Sequence, residues 1–157
     1  MSQVMLHELL EYKDGHLFWK GTRGRQKAGS CAGYVQTNGR RYLRINGKLM
    51  LEHRVIWMMQ HGEVPEFLDH IDGNPLNNRI ENLRPATKQQ NAMNRKVHCT
   101  NKLQVKGVQT RGGRFASYIW VDKTNKYLGT FDTAEEANMA YQQAAQKHFK
   151  EFASCRS

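Results

Sequence analysis

Asp69-His70 is followed by Asn82, twelve positions after His70, and by Asn91 nine positions further on. A carboxylate, an imidazole and two carboxamides in this order can hold one hard cation beside a general base. Oxygen ligands from Asp69 and Asn91, with water and phosphate completing the shell, suit Mg²⁺ or Mn²⁺ rather than zinc. Such an ion polarises a scissile phosphate and stabilises the departing oxygen. The His70 imidazole, with an ordinary pKa of ~6.5, can take a proton from the attacking water at neutral pH. Each residue also has a plainer use. Asp-His pairs arise by chance, and Asn74, Asn77, Asn78, Asn82 and Asn91 all suit turns and caps. Spacing alone leaves both readings open. A calcium loop over residues 69–78 fails on register, because its glycine and closing glutamate do not fall at the needed offsets.

The elements that must position these residues follow from local pattern. Short apolar runs at 67–71 and 80–86 flank the turn formers Asp72-Gly73-Asn74-Pro75. A helix then starts near Thr87, where Thr87 and Gln90 match a capping box. In that strand–strand–helix arrangement Asn91 can return toward Asp69. Upstream, residues 51–61 predict a helix offering Leu51, Val55, Met58 and Met59 to a core. Residues 4–12 predict a short amphipathic helix with Met5, Leu6, Leu9 and Leu10 on one face. Residues 16–19 form a strand and 20–30 a basic, glycine-rich loop. Asn38-Gly39 and Asn46-Gly47 suit type I′ hairpin turns at both ends of a strand over 40–45.

Residues 96–106 are polar, basic and without periodicity, and predict a linker. Beyond it, 106–109, 114–121 and 126–131 alternate as three antiparallel strands, with turns at Gly112-Gly113 and Lys123-Thr124-Asn125. Thr133 and Glu136 form a second capping box. Ala137, Ala140, Tyr141, Ala144, Ala145 and His148 follow at helical spacing. The fold class is therefore α+β, ending in a three-stranded antiparallel sheet packed on one helix. The domains read as 1–50, a β-rich region; 51–96, the module carrying Asp69, His70, Asn82 and Asn91; 97–105, the linker; and 106–157, the sheet-and-helix domain, with the first and last expected to contact DNA on the charge and resemblances given below.

The formal charge of +10 points to a polyanionic partner, with double-stranded DNA the default and a membrane surface far behind. No stretch approaches the ~18 apolar residues that cross a bilayer, and the N-terminus has no signal pattern. Cys31, Cys99 and Cys155 are odd in number and far apart, which fits a reducing cytoplasm and neither a disulfide framework nor a zinc cluster. With no strong dimerisation stripe, the expected state is a monomer.

The words LEHRVIW, LDHIDGNPLNNRIENLR and KQQNAMNR, spanning His53 to Asn94, resemble the HNH endonucleases of the phage and homing type, whose third signature residue is Asn. The resemblance implies a ββα-metal (His-Me finger) module. In it His70 is the general base, Asp69 and Asn91 are the metal ligands, and Asn82 braces the loop that orients His70. It also implies cleavage to 5′-phosphate and 3′-hydroxyl ends, and an enzyme encoded by a phage or mobile element and acting in the cytoplasm of a bacterial host. His53-Arg54 recurs in that family. Arg54 reaching a phosphate and Arg54 partly buried at a junction stand as equal readings.

KGV (106–108), RFASYIWV (114–121) and YLGTFDTAEEANMAY (127–141) resemble the plant APETALA/ethylene-response DNA-binding domain, whose sheet enters the major groove. The resemblance implies DNA contacts from Lys106, Gln109, Arg111, Tyr118, Trp120 and Tyr127, with Arg114 and Lys126 on phosphate. The chain departs from that family. Gln109 stands for a usual arginine, Tyr118 for a glutamate and Trp120 for an arginine, and the Gly112-Gly113 loop is one residue shorter and lacks a tryptophan. The family's GC-rich target therefore does not carry over. Phe115, Ile119, Leu128 and Phe131 fit the face packed on the helix. Lys20, Arg23, Arg25, Lys27, Arg40, Arg41 and Arg44 fit either a phosphate-contacting surface or a solvated one. The function expected is a metal-dependent, sequence-directed DNA endonuclease that nicks or cuts both strands. The alternatives are a non-cleaving DNA-binding regulator on the same scaffold and an RNA-directed nuclease, the latter disfavoured because A-form RNA hides its major groove.

Overall fold

The computed structural model describes residues 2–93, 101 and 103–149. Among these the chain is mixed α+β, with small antiparallel sheets and four α-helices. It forms two compact units that divide after Lys88. No helix among the described residues is long and apolar enough to cross a membrane. Cys99, Cys155 and most of the expected linker lie outside the described residues.

In the first unit, helix α1 (Gln3–Leu9) starts at Ser2, whose Oγ accepts a bond from the Met5 N–H at 3.3 Å. The sequence pattern extends this helix to Tyr12, but the chain leaves it at Leu10. Asp14 and Gly15 both take positive φ, 49° and 85°, and fold β1 (Leu10–Lys13) onto β2 (His16–Trp19). An Asp-Gly turn of this kind suits a hairpin and overrides a weak helical preference. Leu10 is buried in either arrangement, so apolar spacing could not mark the change.

Strands β3 (Tyr34–Val35), β4 (Arg41–Ile45) and β5 (Lys48–Leu51) form a second sheet. Asn46-Gly47 takes the paired positive φ values, 48° and 77°, of the expected turn. Asn38-Gly39 differs: there the Gly39 N–H donates to the Gln36 carbonyl at 2.9 Å, closing a longer loop with Gly39 left-handed. Helix α2 (Glu52–His61) ends on left-handed Gly62. Its buried residues are Glu52, His53, Val55, Ile56 and Met59, so Met58 sits beside the core instead of within it, and Leu51 ends β5 half-buried. Strands β6 (Phe67–His70) and β7 (Leu83–Ala86) then pair antiparallel, joined by a loop and a 3₁₀ turn at Ile80–Asn82.

One core serves this whole unit. Leu6, Leu10, Leu17, Trp19, Leu43 and Ile45 from the N-terminal half pack with Val55, Ile56, Met59, Leu68 and Leu83. Each such burial stabilises by about 1.5–3 kcal/mol. The regions on either side of residue 50 thus share a core.

Helix α3 (Lys88–Met93) straddles the division. In the second unit β8 (Val108–Arg111), β9 (Arg114–Val121) and β10 (Thr124–Phe131) form a sheet in the order β10-β9-β8, covered by α4 (Ala134–Phe149). The second turn is Asp122-Lys123, both at positive φ (51° and 62°), one residue earlier than expected. The capping box forms as read: Thr133 Oγ1 accepts from the Glu136 N–H at 3.2 Å, and the Thr133 N–H donates to Glu136 Oε2 at 3.4 Å. Ile119, Val121, Tyr141, Ala145 and Phe149 make the core. Gly107 is required: at φ 67° any Cβ would fall 2.3 Å from the Tyr118 carbonyl oxygen and from the Tyr141 ring.

Candidate active site

Asp69 and His70 end strand β6, where neighbouring side chains point to opposite faces. Asp69 is buried and pairs across the hairpin with Arg84. Arg84 Nε and Nη2 both donate to Asp69 Oδ2, at 3.2 and 3.1 Å. A buried carboxylate is tolerable only with such a partner, since an unpaired one would neutralise.

His70 is buried too, and its Nε2 lies 2.9 Å from Asn78 Oδ1. Which nitrogen carries the proton follows from the next link. Asn78 is fully buried and donates through Nδ2 to Glu52 Oε2 at 3.1 Å. A carboxylate demands a donor, so the amide nitrogen faces Glu52 and the amide oxygen faces His70. His70 must then keep its proton on Nε2, which puts the basic lone pair on Nδ1. Glu52, completely buried, is balanced by Arg41 Nε and by the Leu17 N–H at 3.2 Å. Arg41 in turn donates through Nη2 to the Gly33 carbonyl at 2.9 Å. A chain of hydrogen bonds thus runs Arg41–Glu52–Asn78–His70, charge-assisted as far as Asn78, fixing the imidazole's tautomer and ring plane.

The loop before Asn78 is held just as tightly. Asn82 Oδ1 accepts from the Asp72 N–H at 2.9 Å, and its Nδ2 donates to Asp72 Oδ1 at 2.9 Å and to the Asn77 carbonyl at 2.7 Å. Asp72 also accepts from the Asn74 N–H at 2.8 Å and from Asn77 Nδ2 at 2.7 Å. Outside the loop, Tyr12 Oη accepts from the Ile80 N–H at 3.1 Å. The backbone of Arg79 passes so close to Gly15 that a Cβ there would lie 2.8 Å from its nitrogen. The N-terminal hairpin therefore braces the loop that carries Asn78 and Asn82.

Burial lowers the His70 pKa, with Arg40 adding to the effect and the bond to Asn78 opposing it. At neutral pH the imidazole is thus uncharged and able to accept a proton. His53, on α2, sets its ring edge-on to His70 at 5.0 Å between centroids. Burial, with help from His70, Arg40 and Arg54, drives its pKa down to about 3. Burial pushes the Asp72 carboxyl up, but the bonds from Asn77, the Asn74 backbone and Asn82 hold it below its ordinary value.

The remaining expected residues are distributed as follows. Asn91 lies on α3, on the second unit's side of the division, whereas Asp69 belongs to the first. Arg54 donates to the Glu66 carbonyl at 3.2 Å. Arg40 is exposed, while Arg23, Arg25 and Arg44 line a cleft of about 360 Å³ with Trp19 and Ile45. Lys106 precedes β8, and Gln109 and Arg111 are exposed along it. Arg114 is engaged with Asp132 at 2.8 Å. Tyr118, Trp120 and Tyr127 share the sheet face opposite α4, whereas Lys126 pairs with Ile119 and belongs by alternation to the other.

Glu52, Asn78 and Arg84 were not picked out by the motif; Arg41, expected on a phosphate-contacting or solvated surface, instead pairs with buried Glu52, and His53 of the recurring His53-Arg54 pair packs on His70. Glu52 did carry a signal, being a carboxylate on the apolar stripe of its own helix, which demands a buried partner. Asn78 had none, standing in a run of turn-forming asparagines.

Residues 51–93 match the family model described as HNH endonuclease. A protein of Acanthamoeba polyphaga mimivirus named as an uncharacterized HNH endonuclease is 34% identical over 110 residues, covering 69% of this chain and 57% of its own length. Protein 3.8 of Escherichia phage T7 is 40% identical over 58 residues, covering 36% of this chain and 48% of its own length. The chain thus spans about half the length of these curated relatives. No solved structure gives a significant match. The family-model match spans the segment that carries Asp69, His70, Asn82 and Asn91, and with the first relative's name it supports an HNH-type nuclease.

Proposed function

We propose that this protein is a metal-dependent DNA endonuclease of the phage or mobile-element homing type. His70 acts as general base through Nδ1, accepting the proton of the water that attacks phosphorus. Asn82 keeps the loop closed and Asn78 keeps the His70 proton on the far nitrogen. The observation that carries this reading is the buried chain from Arg41 through Glu52 and Asn78 to His70. Surface chemistry does not need so many desolvated polar groups aimed at one imidazole, whereas a base of defined tautomer does.

Asp69 offers carboxylate oxygens, the ligand type that a hard divalent cation takes. Phosphate and water would complete the shell, as is usual for such ions. Asp69 and Asn91 are the protein ligands in this reading, Asn91 on the strength of the motif. Mg²⁺ or Mn²⁺, and not zinc, is the ion proposed. When bound, it would supply charge stabilisation at the scissile phosphate.

The second unit, with its sheet under one helix, is proposed to be an APETALA/ethylene-response-like DNA-binding domain. Arg23, Arg25, Arg40 and Arg44 add backbone contacts, and the enzyme works as a monomer in the cytoplasm of a host cell. A non-cleaving regulator is the second reading, favoured by one observation: Arg84 already occupies the Asp69 carboxylate. Incubating supercoiled plasmid with Mg²⁺, with Mn²⁺ and with a chelator separates the two. The nuclease reading expects nicked or linear product with metal alone, and intact plasmid in every tube would favour the regulator.

A further inference from the structure

One face of the second unit's sheet lies under α4, burying Ser117, Ile119 and Val121. The opposite face is aromatic. Tyr118 and Trp120 alternate onto it from β9, and the register pairs Tyr118 with Tyr127 and Trp120 with Asn125. Trp120 is 52% exposed and Tyr127 58%, large values for rings that gain by burial. The Tyr118 and Tyr127 rings stand 5.4 Å apart, and the Tyr127 hydroxyl is fixed to Thr130 Oγ1 at 2.7 Å. A cleft of about 430 Å³ opens beside them, lined in part by Gln109, Tyr118, Trp120 and Asn125. That size falls within the ~300–1,000 Å³ of small-ligand pockets.

The chemistry of this face does not suit a paired duplex. The major groove presents base edges, read by arginine and amide groups, and hides the π-faces inside the stack. An aromatic plane finds its match in a base that has left the stack. The amides of Gln109 and Asn125 can bond the edge of such a base, and exposed Arg111 on the same face complements its phosphate.

We propose that this face binds single-stranded DNA, stacking unpaired bases on Trp120 and on the Tyr118–Tyr127 pair. The proposal rests on the reading that the second unit contacts DNA, and it replaces groove entry with capture of an opened strand. The full-length chain, with chelator present to prevent cutting, is titrated with a labelled mixed-sequence single strand, with the same sequence as a duplex, and with its RNA equivalent. Trp19 is buried in the cleft that Arg23, Arg25 and Arg44 line, and Trp57 lies against His61, so comparison of the wild type with Trp120→Ala assigns the change in tryptophan emission to Trp120.

The single DNA strand should bind about 10-fold tighter than the duplex and quench that emission. Trp120→Ala should weaken the single strand about 10-fold, abolish the quenching and leave the duplex within about twofold, while Trp120→Phe keeps most of the affinity. Tighter binding of the duplex, or an equal loss on both forms in Trp120→Ala, would overturn the proposal while DNA binding itself stood. Preference for RNA would overturn the assignment to DNA. No binding to any strand would remove the underlying reading as well.

Discussion

The two units treat polar chemistry in opposite ways. In the first, Glu52, Asn78, His70, Asp69 and Arg84 are all withdrawn from water, and each is held by at least one bond. In the second, the sheet face leaves Gln109, Arg111, Trp120 and Tyr127 open to solvent, with few fixed partners. A reacting group must stand in one tautomer and one orientation before substrate arrives, and burial with full bonding enforces that. A surface that accommodates a long polymer gains more from exposed planes and long side chains that settle on contact. The contrast predicts that substitutions in the first unit act on stability and rate together, and those on the sheet act on affinity.

The largest test of that contrast removes the deepest charge. Glu52→Ala leaves the Arg41 guanidinium and the Asn78 amide buried without their partner, and should cost about 3–5 kcal/mol of stability in urea unfolding. An unchanged midpoint would show that the chain of buried bonds is not what holds the unit. Asn78→Ala comes next, at about 1–3 kcal/mol for the stranded groups. It should lower kcat with KM little changed, because the His70 tautomer is lost and no DNA contact is touched. A rise in KM alone would place Asn78 at the DNA instead.

The pH test is of similar size. The unfolded chain takes up a proton at His53 near pH 6.5, whereas the folded residue stays neutral down to about 3. The unfolded state therefore binds more protons in that window, and stability falls as pH is lowered through it. Each unit costs about 1.4 kcal/mol, hence about 2 kcal/mol between pH 6.5 and 5. Urea midpoints at both pH values should show the loss, and His53→Gln should shrink it. The smallest effect belongs to the second unit: Asp132→Ala breaks the exposed pair with Arg114 and should shift stability by less than about 1 kcal/mol. A larger loss would mean the sheet is held like the first unit.

What could be read beforehand follows the range of the interactions. Local rules reached the Thr133–Glu136 cap, the Asn46-Gly47 and Gly112-Gly113 turns and the helix at 52–61, since these depend on neighbours in sequence. They failed at Leu10, where a hairpin turn four residues away decides the conformation, and at Asp122-Lys123, a left-handed pair without glycine or asparagine to announce it. In the site, the motif picked out Asp69, His70, Asn82 and Asn91. Arg84 and Asn78 met their partners only through folding across fifteen and eight residues, and Glu52 met Asn78 across twenty-six. No spacing rule spans such separations.

The claim beneath all of this is that the His70 imidazole removes a proton during strand scission. The direct measurement is single-turnover nicking of supercoiled plasmid in saturating Mg²⁺ by the wild type and by His70→Ala, with DNA binding measured on the same samples. The account predicts a rate about 100- to 10,000-fold lower at near-equal binding. Nicking by His70→Ala at the wild-type rate would contradict it.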